Sequence, residues 1–213
     1  MSLTDVARFF QEGGLFMIPI AALFAVGLAI AVERAWFLAR VRRSEARLWR
    51  ELRPLLAQGR LDQAGRLLEQ DGSLAARVLR GAWLRLPAAR GLGELETMVE
   101  EGLLEAVARL ERRTHYLATL ANIATLLGLL GTIIGLIQAF TAVAGADPAQ
   151  KADLLSQSIS VAMNTTAFGL MVAIPLLLVH AWLQARGNEQ VDRLELGAVR
   201  FLNTIAVVRG LGR

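Results

Sequence analysis

The chain has 213 residues, 54% of them hydrophobic, and a mean hydropathy of +0.45, too apolar for an ordinary soluble domain. It contains no cysteine, which excludes disulfides and thiolate metal sites, and its two histidines, His115 and His180, are too far apart in sequence to suggest a metal centre. The net charge of +4 comes almost entirely from arginine, Lys151 being the single lysine. These arginines form no recognisable motif with aromatics, so no nucleic-acid partner is expected.

In chain order, residues 1–14 read as an outward-facing segment in which "VARFFQEGG" has the pattern of a short amphipathic helix. The first apolar run, from Leu15 to Leu38, predicts a transmembrane helix over 15–38. It exceeds a signal-peptide core, and Arg8 before it is offset by Asp5 and Glu12, so it reads as a retained signal anchor. Residues 39–116 follow as a helical region. "RRSEARLWRELRPLLAQ" sets Leu48, Leu52, Leu55 and Leu56 at helical spacing, and "GRLDQAGRLLEQDG" is a short helix between glycines. "LGELETMVEEGLLEAVARLERRTHY" carries Leu95, Met98, Val99, Leu103, Val107 and Leu110 on a helical period. No breaker separates its end from the next apolar run, so one continuous rod is expected there. This region reads as a helical bundle with solvated charged faces, or as a docking surface for another cytoplasmic protein.

The second transmembrane helix is expected over 117–143, a short loop over 144–155, the third span over 156–184, and a C-terminal helix over 185–213. Between Ala39 and His115 there are 15 arginines against 11 acidic residues, whereas the loop "AGADPAQKAD" holds one lysine and two aspartates. The tail adds Arg186, Arg193, Arg200, Arg209 and Arg213. The positive-inside rule then puts the long segment and the C-terminus in the cytoplasm, and the N-terminus and short loop on the periplasmic side. Trp36 and Trp182 suit the aromatic belt, and His180 reads as a packed or interfacial side chain. Glu33 and Arg34, about 100° apart on one helix, are expected to pair with other groups rather than with each other, either as orientation anchors or as a functional gate.

The second span contains "ATLLGLLGTIIGLIQAF", with three glycines and two threonines where a plain anchor would carry leucine. Asn122, Thr125 and Thr132 fall in one sector of the helix, with Gly128, Gly131, Gly135 and Gln138 in the neighbouring one. "GTIIG" is a small-xxx-small pattern that lets helices approach closely. In the third span, "SQSISVAMNTTAFGLMVAIP" puts Ser158, Ala162, Thr166, Gly169 and Ala173 on one face, and Pro175 removes a backbone hydrogen bond and should kink the helix. Each single threonine has two open readings: tight packing with the hydroxyl bonded back to its own helix, or a place in a polar seam shared by the two spans. No Asp, Glu, Lys or Arg lies deep in any span. Hydroxyls relay a proton or coordinate an ion but do not store the charge, so a seam that carries ions needs a carboxylate from another chain.

"LGLLGTIIGLIQAF" and "ISVAMNTTAFGLMVAIP", with "ERAWFL", resemble the MotA/TolQ/ExbB proton-channel family, in its three-span ExbB/TolQ branch. The resemblance implies an all-α integral membrane protein that forms a homopentameric ring. The ring would enclose the helices of two ExbD/TolR-like single-span partners, whose membrane aspartate carries the ion. It also implies that Thr132 and Thr166 face that aspartate, that Pro175 is the family's "AIP" proline, and that Glu33 and Arg34 form the Glu-Arg pair below the first span. The expected ion pathway comprises Thr132, Thr166, Asn164, Thr125 and Thr165. Helix packing is assigned to Gly128, Gly131, Gly135, Gly169 and Pro175. Two positions depart from the family pattern: Thr125 stands where many relatives carry proline, and Val161 where ExbB and TolQ often carry glutamate. If that glutamate assists proton transit elsewhere, this chain manages without it or uses water or Asn164 in its place.

The implied function is a motor subunit in the bacterial inner membrane that turns proton-motive force into work on the envelope, TonB-type energy transduction leading. No cofactor is expected beyond the translocated ion, H⁺ with Na⁺ as the alternative, and a TonB-like protein joins the expected partners. A passive scaffold that assembles helices without ion flow is the rival reading. An intramembrane protease would need a base, an aspartate pair or metal ligands beside its nucleophile at membrane depth, and the sequence has none there.

Overall fold

The computed structural model describes residues 14–210; "VARFFQEGG" and the rest of the outward segment lie outside these residues except for Gly14. Six helices follow in order: α1 (Met17–Ala57), α2 (Leu61–Gln70), α3 (Leu74–Arg85), α4 (Leu92–Glu111), α5 (Thr114–Ala144) and α6 (Lys151–Arg209). No strand occurs among the described residues, and α1, α5 and α6 each contain a run long and apolar enough to cross a bilayer. The protein is a multi-pass, all-α membrane protein.

Helix α1 continues past Leu38 without a break because the residues that follow are mostly arginine, glutamate, alanine and leucine, all good helix formers. It ends where Gly59 adopts φ +66 and the Arg60 amide donates to the Leu55 carbonyl at 2.9 Å, a left-handed closure that favours glycine. In the same way α6 carries the third apolar run and the charged tail as one helix, with Pro175 inside it.

The chain divides into two compact units. The first joins the described part of Met1–Val32 to Arg113–Trp182. Small residues set its helix contacts. A Cβ on Gly27 would stand 2.6 Å from Leu176, and one on Gly135 would stand 2.9 Å from the Ala162 Cβ. Large side chains turn outward instead: Leu126, Leu129, Ile133 and Ile137 of α5 and Met163, Met171, Ile174 and Leu178 of α6 are all exposed. An apolar surface of that extent needs lipid or further protein against it.

The second unit joins Glu33–Arg112 to Leu183–Arg213. Ser73 caps α3, its hydroxyl accepting from the Ala76 amide at 3.2 Å. Arg80 reaches back from α3 and donates to the Leu68 and Asp71 carbonyls at 2.9 and 2.8 Å, satisfying the end of α2. Helix α4 packs on α3 where Gly102 meets the Val78 backbone. Trp49 of α1 lies over Gly197 of α6. Leu48, Leu52 and Leu56 are buried, as are Leu95, Val99 and Leu110, so the helical spacing does mark inward faces.

Two expectations are corrected. The continuous rod is interrupted: α4 ends at Glu111, and Arg113 takes φ +67 before α5 begins. That left-handed residue is a turn that no glycine or proline advertises. Glu33 and Arg34 do meet each other. Arg34 Nε lies 3.8 Å from Glu33 Oε2, Arg34 also donates to the Arg112 carbonyl, and its guanidinium sits 4.3 Å over the Phe37 ring. A long flexible arginine overcomes the 100° offset between adjacent helical positions.

Candidate ion-pathway site between α5 and α6

The closest approach of α5 and α6 is built from backbone. A Cβ on Gly169 would lie 2.7 Å from the Ala124 carbonyl oxygen, and one on Gly128 would lie 3.2 Å from the Thr166 Cα. A side chain at Gly169 would force the two helices apart, and one at Gly128 would require the facing backbone to give by a few tenths of an ångström. This proximity places the hydroxyls of Thr132 and Thr166 against each other across the interface.

Both hydroxyls converge on one acceptor. Thr166 Oγ1 donates to the Gly128 carbonyl at 2.8 Å, and Thr132 Oγ1 lies 3.2 Å from the same oxygen, its own i−4 carbonyl. Each hydroxyl has one proton and two lone pairs. If both donate to Gly128, neither can donate to the other; if Thr132 donates to Thr166, a hydrogen-bond chain runs from Thr132 through Thr166 to the Gly128 carbonyl. In either arrangement lone pairs remain for an incoming donor or cation, and both side chains are half-buried rather than sealed. The site can accept a hydrogen bond or coordinate an ion, and it holds no group that ionises near neutral pH.

The other sequence-assigned residues fall into different places. Thr165 is 2% exposed, bonds back to the Val161 carbonyl at 2.9 Å and packs its methyl on Gly131; within this chain it is a packing residue. Thr125 bonds back to the Ala121 carbonyl at 3.1 Å on an exposed face. Asn164 is half-buried and makes no hydrogen bond to the Thr132–Thr166 cluster. Gly128, Gly131, Gly135 and Gly169 all lie in the α5–α6 contact, whereas Pro175 lies on the exposed side of α6. Sequence reasoning missed the Gly128 carbonyl as the shared acceptor, and also Gly27, which seats Leu176, and Phe16 beside Gly131. "AVGLAI" carries the one glycine of the first span, the signal that could have pointed to the Leu176 contact.

Residues 71–196 match the family model of the MotA/TolQ/ExbB proton channel family, a stretch that covers α3 to α5 and most of α6. The chain belongs to this family. Among relatives of the family, the chain is similar to the ExbB-like 1 protein of Synechocystis, at 32% identity over 89% of this chain and 76% of that protein. It is 29% identical to the ExbB homolog of Methanothermobacter thermautotrophicus over 90% of this chain and 67% of that one. A shorter stretch, 38% of this chain and 36% of the relative, is 37% identical to the Tol-Pal system protein TolQ of Haemophilus influenzae. The two threonines and the two glycines that bring them together lie inside the matched residues.

Proposed function

We infer that this chain is the channel subunit of an ExbB/TolQ-like motor that uses an ion gradient across the membrane to do mechanical work. The observation that carries the reading is the Thr132–Thr166–Gly128 oxygen cluster, held at a glycine-mediated helix crossing; among the described residues no ionisable side chain bonds to it. Such a cluster passes an ion along but does not hold its charge. The carboxylate comes from an ExbD/TolR-like single-span partner, whose aspartate lies against these hydroxyls inside a ring of five copies of this chain.

In this mechanism the protonated aspartate donates to a threonine lone pair and its helix can move past the ring; release of the proton inward restores the charge. The hydroxyls then turn to donate to the carboxylate. At about 100 mV each charge supplies about 2.3 kcal/mol, so several protons or an added pH gradient drive a useful stroke. H⁺ is the proposed ion, and the chain resides in the inner membrane with its N-terminus periplasmic and its C-terminus cytoplasmic. Transfer of force through a TonB-like protein is the proposed task.

The test is co-expression with an aspartate-bearing single-span partner, native mass spectrometry, and proton flux in liposomes. Five copies with two partners and a flux driven by a pH gradient are expected. A homo-oligomer that captures no partner and conducts nothing would sink the motor reading and leave a helix scaffold, and a flux that follows sodium alone would replace H⁺ with Na⁺.

A further inference from the structure

Within the second unit, the groove between the charged ends of α1 and α6 holds two adjoining hollows of about 480 and 500 Å³, both lined by Trp49, Arg53 and Arg200. The first is also lined by Arg42, Arg50 and Arg193. Against these five arginines the lining has one acid, Glu45, which is 6% exposed and has an oxygen without a hydrogen-bond partner. Four of these arginines have no counter-charge: among the described residues Arg42, Arg50, Arg53 and Arg200 make no ion pair. Arg193 is held by Glu189 at 2.7 Å, and Arg53 stands 5.9 Å over the Trp49 ring.

Self-repulsion among converging arginines disfavours an empty groove, and the planar forks of arginine match phosphate oxygens two at a time. Either hollow has the volume of an ordinary small-molecule site. We propose that this groove binds a small, soluble, multiply charged phosphate compound of the polyphosphate or nucleoside-polyphosphate class.

Helix geometry favours a soluble source over a lipid headgroup. The groove begins at Arg42, four residues beyond Leu38 where the first apolar run stops and so about 6 Å along the helix, but most of it lies deeper. Trp49 lies eleven residues beyond Leu38, and Arg200 lies seventeen beyond Leu183, where the third run stops. At 1.5 Å per residue these are about 16 and 25 Å along the helices, whereas headgroups extend only about 5–8 Å past the hydrocarbon. The groove shares no residue with the Thr132–Thr166 cluster.

The experiment is calorimetric titration of inorganic triphosphate into the full-length protein in nanodiscs of zwitterionic lipid. Saturable binding is expected, weakened about tenfold or more by Arg42→Gln with Arg200→Gln, since each lost contact is a charge-assisted hydrogen bond. Arg40→Gln with Arg209→Gln removes the same charge outside the groove and should leave binding unchanged, and circular dichroism and native mass check that both variants keep fold and copy number. No saturable binding by the unaltered protein, or equal loss in both variants, would overturn the proposal. Abolition of triphosphate binding by anionic lipid in the nanodisc would assign the groove to headgroups instead. A change of copy number in the groove variant alone would assign it to acidic side chains of a neighbouring copy.

Discussion

At the scale of single residues, the threonines separate into two kinds that look alike in sequence. Thr125 and Thr165 spend their protons on the i−4 carbonyl of their own helix, while Thr166 reaches across to a carbonyl of the other helix. Thr166→Val is therefore expected to leave assembly intact and abolish flux. Thr166→Ser, which keeps the hydroxyl, should retain most of it. A Val variant that no longer assembles would make the residue a packing element instead. Glu45 offers a second residue-level test. Burial raises its pKa above the ordinary 4.5, with Arg193 opposing, so the folded chain holds this proton more tightly than the unfolded one. Stability from this group is full below pH 4.5 and is lost as pH rises through the raised value. Glu45→Gln should melt at a higher temperature than the parent at pH 7, and that advantage should vanish on acidification below the ordinary value. An advantage independent of pH would refute the titration argument.

At the scale of elements, two glycines of the same helix have opposite roles. Gly169 in α6 faces backbone at 2.7 Å, so Gly169→Ala must part α5 from α6. A loss of about 1–3 kcal/mol is expected, as for overpacking of a tight interior. Gly187 in the same helix faces open space, and Gly187→Ala should gain about 0.5–1 kcal/mol from the restricted unfolded chain and better helix propensity. Thermal melts of the two variants in one detergent decide the matter, and equal shifts would refute it. The apolar period correctly marks Leu48, Leu52, Leu56, Leu95, Val99 and Leu110 as inward positions, because burial of one helix face leaves a 3.6-residue signature. The Arg112–Arg113 turn leaves none, since a left-handed arginine is imposed by its surroundings rather than by its own preference.

At the scale of the whole molecule, the proposed orientation rests on the arginine excess of the 39–115 stretch and the C-terminal tail. The absence of cysteine makes it directly testable. Gly145, in the turn between α5 and α6, and Gly72, between α2 and α3, both open onto free space, so each accepts a single cysteine. Gly145→Cys should react with a membrane-impermeant maleimide in intact cells with a permeable outer envelope. Gly72→Cys should react only after the inner membrane is opened. The reverse pattern would invert the topology.

What the sequence alone determined was the part governed by solvent. Three apolar runs long enough to span a bilayer and the helical period of the charged region both reflect transfer of side chains between water and an apolar phase, a property each residue carries by itself. The threonine and glycine motifs of the second and third spans also pointed to the family. Which threonine bonds across and which bonds back is a property of two helices at one distance. Only the tertiary structure decided that, through glycines that let Ala124, Gly128 and Gly169 bring backbone to backbone. The same holds for the Glu33–Arg34 contact, the turn at Arg113 and the arginine groove beside Trp49. Each depends on which neighbour a long side chain or a strained backbone meets, and no one-dimensional pattern records that.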